Sequence, residues 1–187
     1  MILDKLKFQY DMAFILNEMN LQFASSLNLD ETLSIVFYNM LNIIRAEAGS
    51  IFLLDDRKSE LVCRICQGPK DSSILGLRVP VGKGIVGNVA QTRAIDVTMN
   101  VQNDKRHFGQ FDQKTGFVTR SMVSVPLIFN EELLGVVQVV NKEHGREFQQ
   151  DDIHLLKALS NGAAIAIQNV KYAQRLLQEE RIRSELL

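Results

Sequence analysis

Apolar residues recur at helical spacing from Phe8 to Leu27, through Met12, Ile15, Leu16, Met19 and Phe23, and predict one amphipathic helix. Asn28 followed by Glu31 is a capping pair, so a second helix begins there and presents Leu33, Val36, Phe37, Met40, Leu41 and Ile44 on one broad face. After Arg45 the period shortens to two. "AGSIFLLD", the turn residues "DRKS" and "ELVCRICQG" predict a hairpin in which Leu61, Cys63 and Ile65 alternate with Val62, Arg64 and Cys66. "LRVPV" is a third short strand, placed at an edge or strand end by Pro80, which has no amide hydrogen to give. A short helix to about Thr92 follows, then "AIDV". Residues 98–117 are polar and irregular, the length and character of a binding loop or lid. "SMVSVPLIF", "NEE" and "LLGVVQVVN" predict a second hairpin, its latter strand apolar enough to be central. A last helix starts near Gln149. Hairpins imply an antiparallel sheet, and helices at both ends make the fold class α+β.

The 187 residues suffice for one domain with helix to spare. Basic and acidic side chains number 21 and 22, a formal charge of -1, so no broad electrostatic footprint for nucleic acid or an anionic membrane stands out. No apolar stretch approaches the roughly 20 residues that span a bilayer, and the first residues lack a signal-peptide core. The expected location is cytoplasmic.

"VGKGIVGNVAQT" holds Gly82, Gly84 and Gly87 in the spacing GxGxxG. A dinucleotide fold needs that fingerprint in a parallel strand–helix–strand unit of about 30 residues, with an acid about 20 residues on. Here the helix is too short, Asp96 comes only fourteen residues after Gly82, and the surrounding strands form hairpins. Two readings remain. The amides of Gly84, Ile85 and Val86 open a helix and favour an anion, or the glycines only permit a strand-to-helix turn.

"VPVGKGIVGNVAQT", then "FDQKTGFVTRSMVSVPL", "LGVVQVVNK" and "FQQDD" before a long apolar helix, resemble the GAF domain family, and in particular its cyclic-nucleotide-binding members in phosphodiesterases and adenylate cyclases. Asn141, Lys142, Phe148 and Asp152 match the family's dispersed NK...FxxxD signature, although Ile153 stands where many members carry Glu. The resemblance implies a GAF-like six-stranded antiparallel sheet with helices packed on one side, and a pocket under a loop and short helix on the other. It implies pocket-lining roles for Asp112, Thr115 and Thr119, and backbone contact with a cyclic phosphate at Ile85 and Val86. It implies a first-strand polar contact at Ser50 and an aromatic contact on base or ribose at Phe108. Gln138 replaces a Glu that several nucleotide binders carry on the central strand; a carboxamide donates and accepts, so the base edge served here differs. Plainer roles stay open: the threonines bond nearby backbone, Asp112 caps the loop, and Lys142 pairs with Asp152 to tie the last strand to the last helix.

Cys63 and Cys66 spell CxxC, but on a regular strand residues three apart point to opposite faces, which predicts that the sulfurs do not meet and that the cysteines are structural. His107, His144 and His154 have no metal-ligand spacing, no nucleophile elbow or Walker loop occurs, and no enzymatic activity, metal or resident cofactor is expected.

On the last helix Leu156, Leu159, Ala163, Ala166, Val170, Ala173 and Leu177 alternate at spacings of three and four, a coiled-coil seam that also serves to cover the sheet before Val170. The expected organisation is therefore an N-terminal helix over 1–27, the sensor domain over 28–170, and a helical extension over 171–187 leading to a covalently linked output domain. The expected function is regulatory binding of a cyclic nucleotide, cAMP ahead of cGMP, signalled through a parallel homodimer of the terminal helices. The alternatives are a GAF module with another metabolite or an empty pocket, acting mainly in dimerisation, and a redox protein using Cys63 or Cys66.

Overall fold

The computed structural model describes residues 17–18, 28–68, 74–106 and 117–185. Of the helix expected over 8–27 only Asn17 and Glu18, both helical, are among them, and the rest of it and the side chain of Val36 lie outside.

Helix α1 (Leu29–Ile44) starts as its cap predicts: Asn28 Oδ1 accepts the amide of Glu31 at 3.3 Å. It stops at Arg45, whose left-handed backbone (φ 56°) turns the chain straight into β1 (Ala46–Leu54). Strand β2 (Glu60–Gln67) returns through a turn held by Asp55, whose Oδ1 accepts the amides of Ser59 and Glu60 at 3.0 and 3.1 Å. Next come β3 (Arg78–Pro80), α2 (Gly84–Thr92), β4 (Asp96–Thr98), β5 (Met122–Phe129), β6 (Glu132–Lys142) and α3 (Gln150–Glu185). The strands form one six-stranded sheet in the order β3-β2-β1-β6-β5-β4, antiparallel throughout, with Pro80 on an edge strand as expected.

The two sides of this sheet do different work. On one, α1 and α3 bury Leu33, Phe37, Leu156, Leu159 and Ile167 against Ile51, Val125, Val137 and Val139. On the other, α2 lays Val86, Val89 and Ala90 over Phe52, Leu61, Cys63 and Val136. Strand β6 is apolar on both faces because it is covered on both.

Three signature residues hold the first core together. Phe148 is 3% exposed inside it. Lys142 Nζ meets Asp152 Oδ1 at 2.5 Å, with side chains only 12% and 15% exposed, so the expected tie is drawn largely out of water. Asp152 Oδ2 also accepts the amide of Gln149, capping α3.

One expectation is decided and another corrected. Of the helical seam, Leu156, Leu159 and Ala163 pack in the helix-side core and so take the sheet-covering role, while Ala166 and Val170 are buried. The regular alternation expected of β2 breaks at a β-bulge: Ile51 faces Ile65 but Phe52 faces Cys63. The extra residue sends Arg64 to Asp30 of α1 at 2.7 Å and Ile65 into the helix-side core, so two successive side chains share one face. Cys63 and Cys66 consequently lie together on the α2 side.

Candidate functional site

Directly opposed residues in an antiparallel pair share a face of the sheet. Cys66 opposes Ser50, Ser50 opposes Gln138, Gln138 opposes Ser124, and Ser124 opposes Asp96, so one polar row crosses five strands. It runs on the α2 side, because Phe52 and Val136, the next same-side residues along β1 and β6, belong to the α2 cluster. Ser50 Oγ donates to Cys66 Sγ at 3.7 Å. Gln138 Nε2 donates to Ser124 Oγ at 2.9 Å and reaches Met122 Sδ at 3.2 Å. A carboxamide nitrogen has two hydrogens; both are spent inside the protein, and Oε1 is left as the acceptor. Gln138 thus keeps an acceptor, as a carboxylate does, without the charge.

On the same side of the sheet α2 begins in a turn that explains the glycine spacing. Gly82 and Gly84 adopt φ of 85° and 65°, which β-carbon-bearing residues resist. Gly87 serves close approach: a Cβ there would lie 2.5 Å from the carbonyl oxygen of Pro80. The helical ladder starts with Gly87 N to Lys83 O at 3.0 Å. The amides of Gly84, Ile85 and Val86 precede that first rung, and the helix dipole points the same way, while the Ile85 and Val86 side chains are buried. No fingerprint for a dinucleotide is involved; the turn opens a helix on a hairpin-built sheet.

The long loop after β4 is pinned at both stems. Val101 N donates to Arg120 O and Gln102 Nε2 to Thr119 O, both at 2.9 Å, so the stems lie side by side. On the leading stem Arg106 reaches Asp96 Oδ2 at 2.6 Å, Asp104 Oδ2 at 2.7 Å and Asn88 Oδ1 of α2 at 3.2 Å. The hydrogen bonds to Asp104 and Asp96 hold its guanidinium pKa above the ordinary arginine value. On the returning stem Asn141, 1% exposed, accepts the amides of Arg120 and Ser121 at 2.7 and 3.2 Å. Its own Nδ2 donates to Val118 O and Glu47 Oε2, both at 2.9 Å. The signature asparagine is therefore a clamp on the loop.

Of the expected site residues, Ser50 and Gln138 are brought face to face, Ile85 and Val86 sit at the start of α2 on the same side, and Thr119 is buried on the returning stem. Phe108, Asp112 and Thr115 lie outside the described residues. Sequence reasoning missed Ser124, Asp96 as a member of the row, and Arg106. The first two are legible only through register. Arg106 sits among scattered polar residues that carry no periodic signal.

The described residues enclose a cavity of about 10 Å³ lined by Phe37, Met40, Val137 and Leu159, on the opposite, helix side of the sheet. Its apolar lining and size make it a packing void. No cluster of His, Cys, Asp and Glu able to hold a metal ion, and no helix long and apolar enough to cross a membrane, occurs among the described residues.

The model of the GAF domain matches residues 26–168, most of the chain. The protein belongs to the GAF family. Its sequence is 26% identical over 177 residues to the cGMP-specific 3',5'-cyclic phosphodiesterase of Drosophila mojavensis, a match covering 88% of this chain and 16% of that relative. The fold is shared with the GAF domain of a phosphoenolpyruvate-protein phosphotransferase from Coxiella burnetii (TM-score 0.77, 22% identity, 88% of this chain and 96% of that one). It is also shared with the free methionine-R-sulfoxide reductase of Neisseria meningitidis, solved with its substrate (TM-score 0.71, 20% identity, 87% and 91% covered). GAF membership accounts for the six-stranded sheet, its helix-covered side and the signature residues.

Proposed function

We propose that the protein is a regulatory sensor whose α2 side binds a cyclic nucleotide, cAMP or cGMP. One observation carries the reading: Ser50 and Gln138 stand opposed in a polar row on the same side of the sheet that α2 covers. A cyclic phosphate bears one negative charge, which helix-opening amides solvate without Lys or Arg. A purine supplies an amino edge for the Gln138 acceptor and a flat apolar face for the cover, where Phe108 is assigned the stacking contact. Asp112, Thr115 and Thr119 line that cover in the same reading. The kinship with a cGMP-specific phosphodiesterase supports the ligand class.

In this proposal residues 28–170 are the sensor and 171–187 a helical extension that carries the signal to an output domain. Ile35 and Tyr38 on α1, and Ile165, Tyr172 and Leu176 on α3, are exposed apolar side chains suited to a second copy of the chain. They replace the buried part of the seam as the proposed homodimer surface.

Titration calorimetry of the purified chain with cAMP and cGMP tests the ligand. Saturable binding of either that weakens at least tenfold in Gln138→Leu is the expected result. Absence of heat with both overturns it in favour of a different small metabolite.

A further inference from the structure

The bulge in β2 has a chemical product. Cys63 opposes Phe52 and Cys66 opposes Ser50, two residues and so about 6.7 Å apart on β1, and both cysteines lie on the α2 side. Disulfides span Cα separations of about 4.4–6.8 Å. Cys63 Sγ donates to Ile65 O at 3.5 Å, and the neighbouring Cys66 thiol, followed by burial, pushes the Cys63 thiol far above its usual range. Cys63 is 1% exposed and Cys66 half-buried, so the pair has one accessible and one sheltered member.

We propose that Cys63 and Cys66 are an oxidisable dithiol, closed to an intramolecular disulfide by hydrogen peroxide. Cys66, the accessible member, attacks one peroxide oxygen as its thiolate. The O–O bond breaks, Cys66 becomes a sulfenic acid, and the departing hydroxide takes a proton and leaves as water. Cys63 then attacks the Cys66 sulfur, the S–O bond breaks, and the second hydroxide leaves as water with the Cys63 proton. Two thiols give up two electrons and one peroxide becomes two waters. The shared place of the two cysteines on the α2 side keeps the Cys63 sulfur beside the site of the sulfenic acid, which favours closure over further oxidation. Disulfide formation changes the sulfur that accepts the Ser50 hydroxyl, so the same event touches the polar row. The proposal does not depend on which guest that row accepts.

Trypsin cuts after Arg64, between the two cysteines, which makes the outcome direct to read. The reduced full-length chain is treated with excess hydrogen peroxide, alkylated and digested without reductant. Peptides 59–64 and 65–70 joined to each other, in a chain of monomer mass lighter by two hydrogens and restored by dithiothreitol, are the expected result. Separate peptides with both thiols alkylated, Cys66 carried to the sulfinic acid beside intact Cys63, or disulfides only between chains would each overturn the proposal. The Cys66→Ser variant separates the two steps: Cys63 is expected to remain a thiol in it, and its oxidation there at the wild-type rate also overturns the assignment.

Discussion

Lys142 and Asp152 meet at 2.5 Å behind the last strand with little of either side chain in water. Removing one partner strands the other as a largely desolvated charge, a larger effect than deleting an exposed pair. Lys142→Met is expected to lower unfolding free energy by about 2–3 kcal/mol, read from urea denaturation. A change under about 0.5 kcal/mol would mean that the pair behaves as an exposed one.

Arg106 joins the leading stem of the long loop to β4 and α2 through Asp96, Asp104 and Asn88. Its guanidinium is 38% exposed, so global stability is expected to fall by only about 1 kcal/mol in Arg106→Gln. The local effect is larger: amides of residues 104–106 should exchange hydrogen at least tenfold faster. Arg106→Lys keeps the charge but loses the planar fork, and intermediate protection is expected. Equal protection in all three proteins would exclude the stem assignment.

Gly87 packs α2 against the turn that launches it, and an added methyl would fall 2.5 Å from Pro80 O. Gly87→Ala must push the helix off the turn, a strain of about 1–3 kcal/mol. The expected readouts are a lowered melting temperature and weakened cyclic-nucleotide binding, because the opening amides of α2 move with it. Retention of wild-type stability would show that the turn yields freely.

Asp55 supplies a pH dependence. The amide of Glu60, then that of Ser59, with Arg78 and Arg57 nearby, hold its carboxyl below the usual aspartate value. A depressed folded-state pKa adds stability that is complete above the unfolded value of about 3.9 and lost as pH falls through the folded value. The β1–β2 turn should therefore loosen in acid, with faster proteolysis between residues 55 and 60, and Asp55→Asn should flatten that acid limb. Parallel acid limbs for the two proteins would refute the assignment.

The elements were legible where one period dominates. Helix α1 starts at its predicted cap and both hairpins form between the predicted runs, because each buries a single consistent stripe. What escaped depends on facts between strands. The bulge at Arg64–Ile65 is specified jointly by Asp30 on α1 and by the helix-side core, neither adjacent in sequence, so strict alternation put the two cysteines on opposite faces. The row from Cys66 to Asp96 likewise exists only once five strands are in register. Ser50 and Gln138 were reached from the sequence through family likeness, whereas Ser124, between Gln138 and Asp96, carries no motif.

Strand β6 shows Val136 and Gln138 to one side of the sheet and Val137 and Val139 to the other. The residues on the α2 side and the residues bearing on the long carboxy-terminal helix therefore alternate along a single wall one backbone thick. Close-packed interiors pass on small displacements instead of absorbing them. Any shift of β6 therefore bears on Leu156 and Leu159, which share the helix-side core with Val137 and Val139.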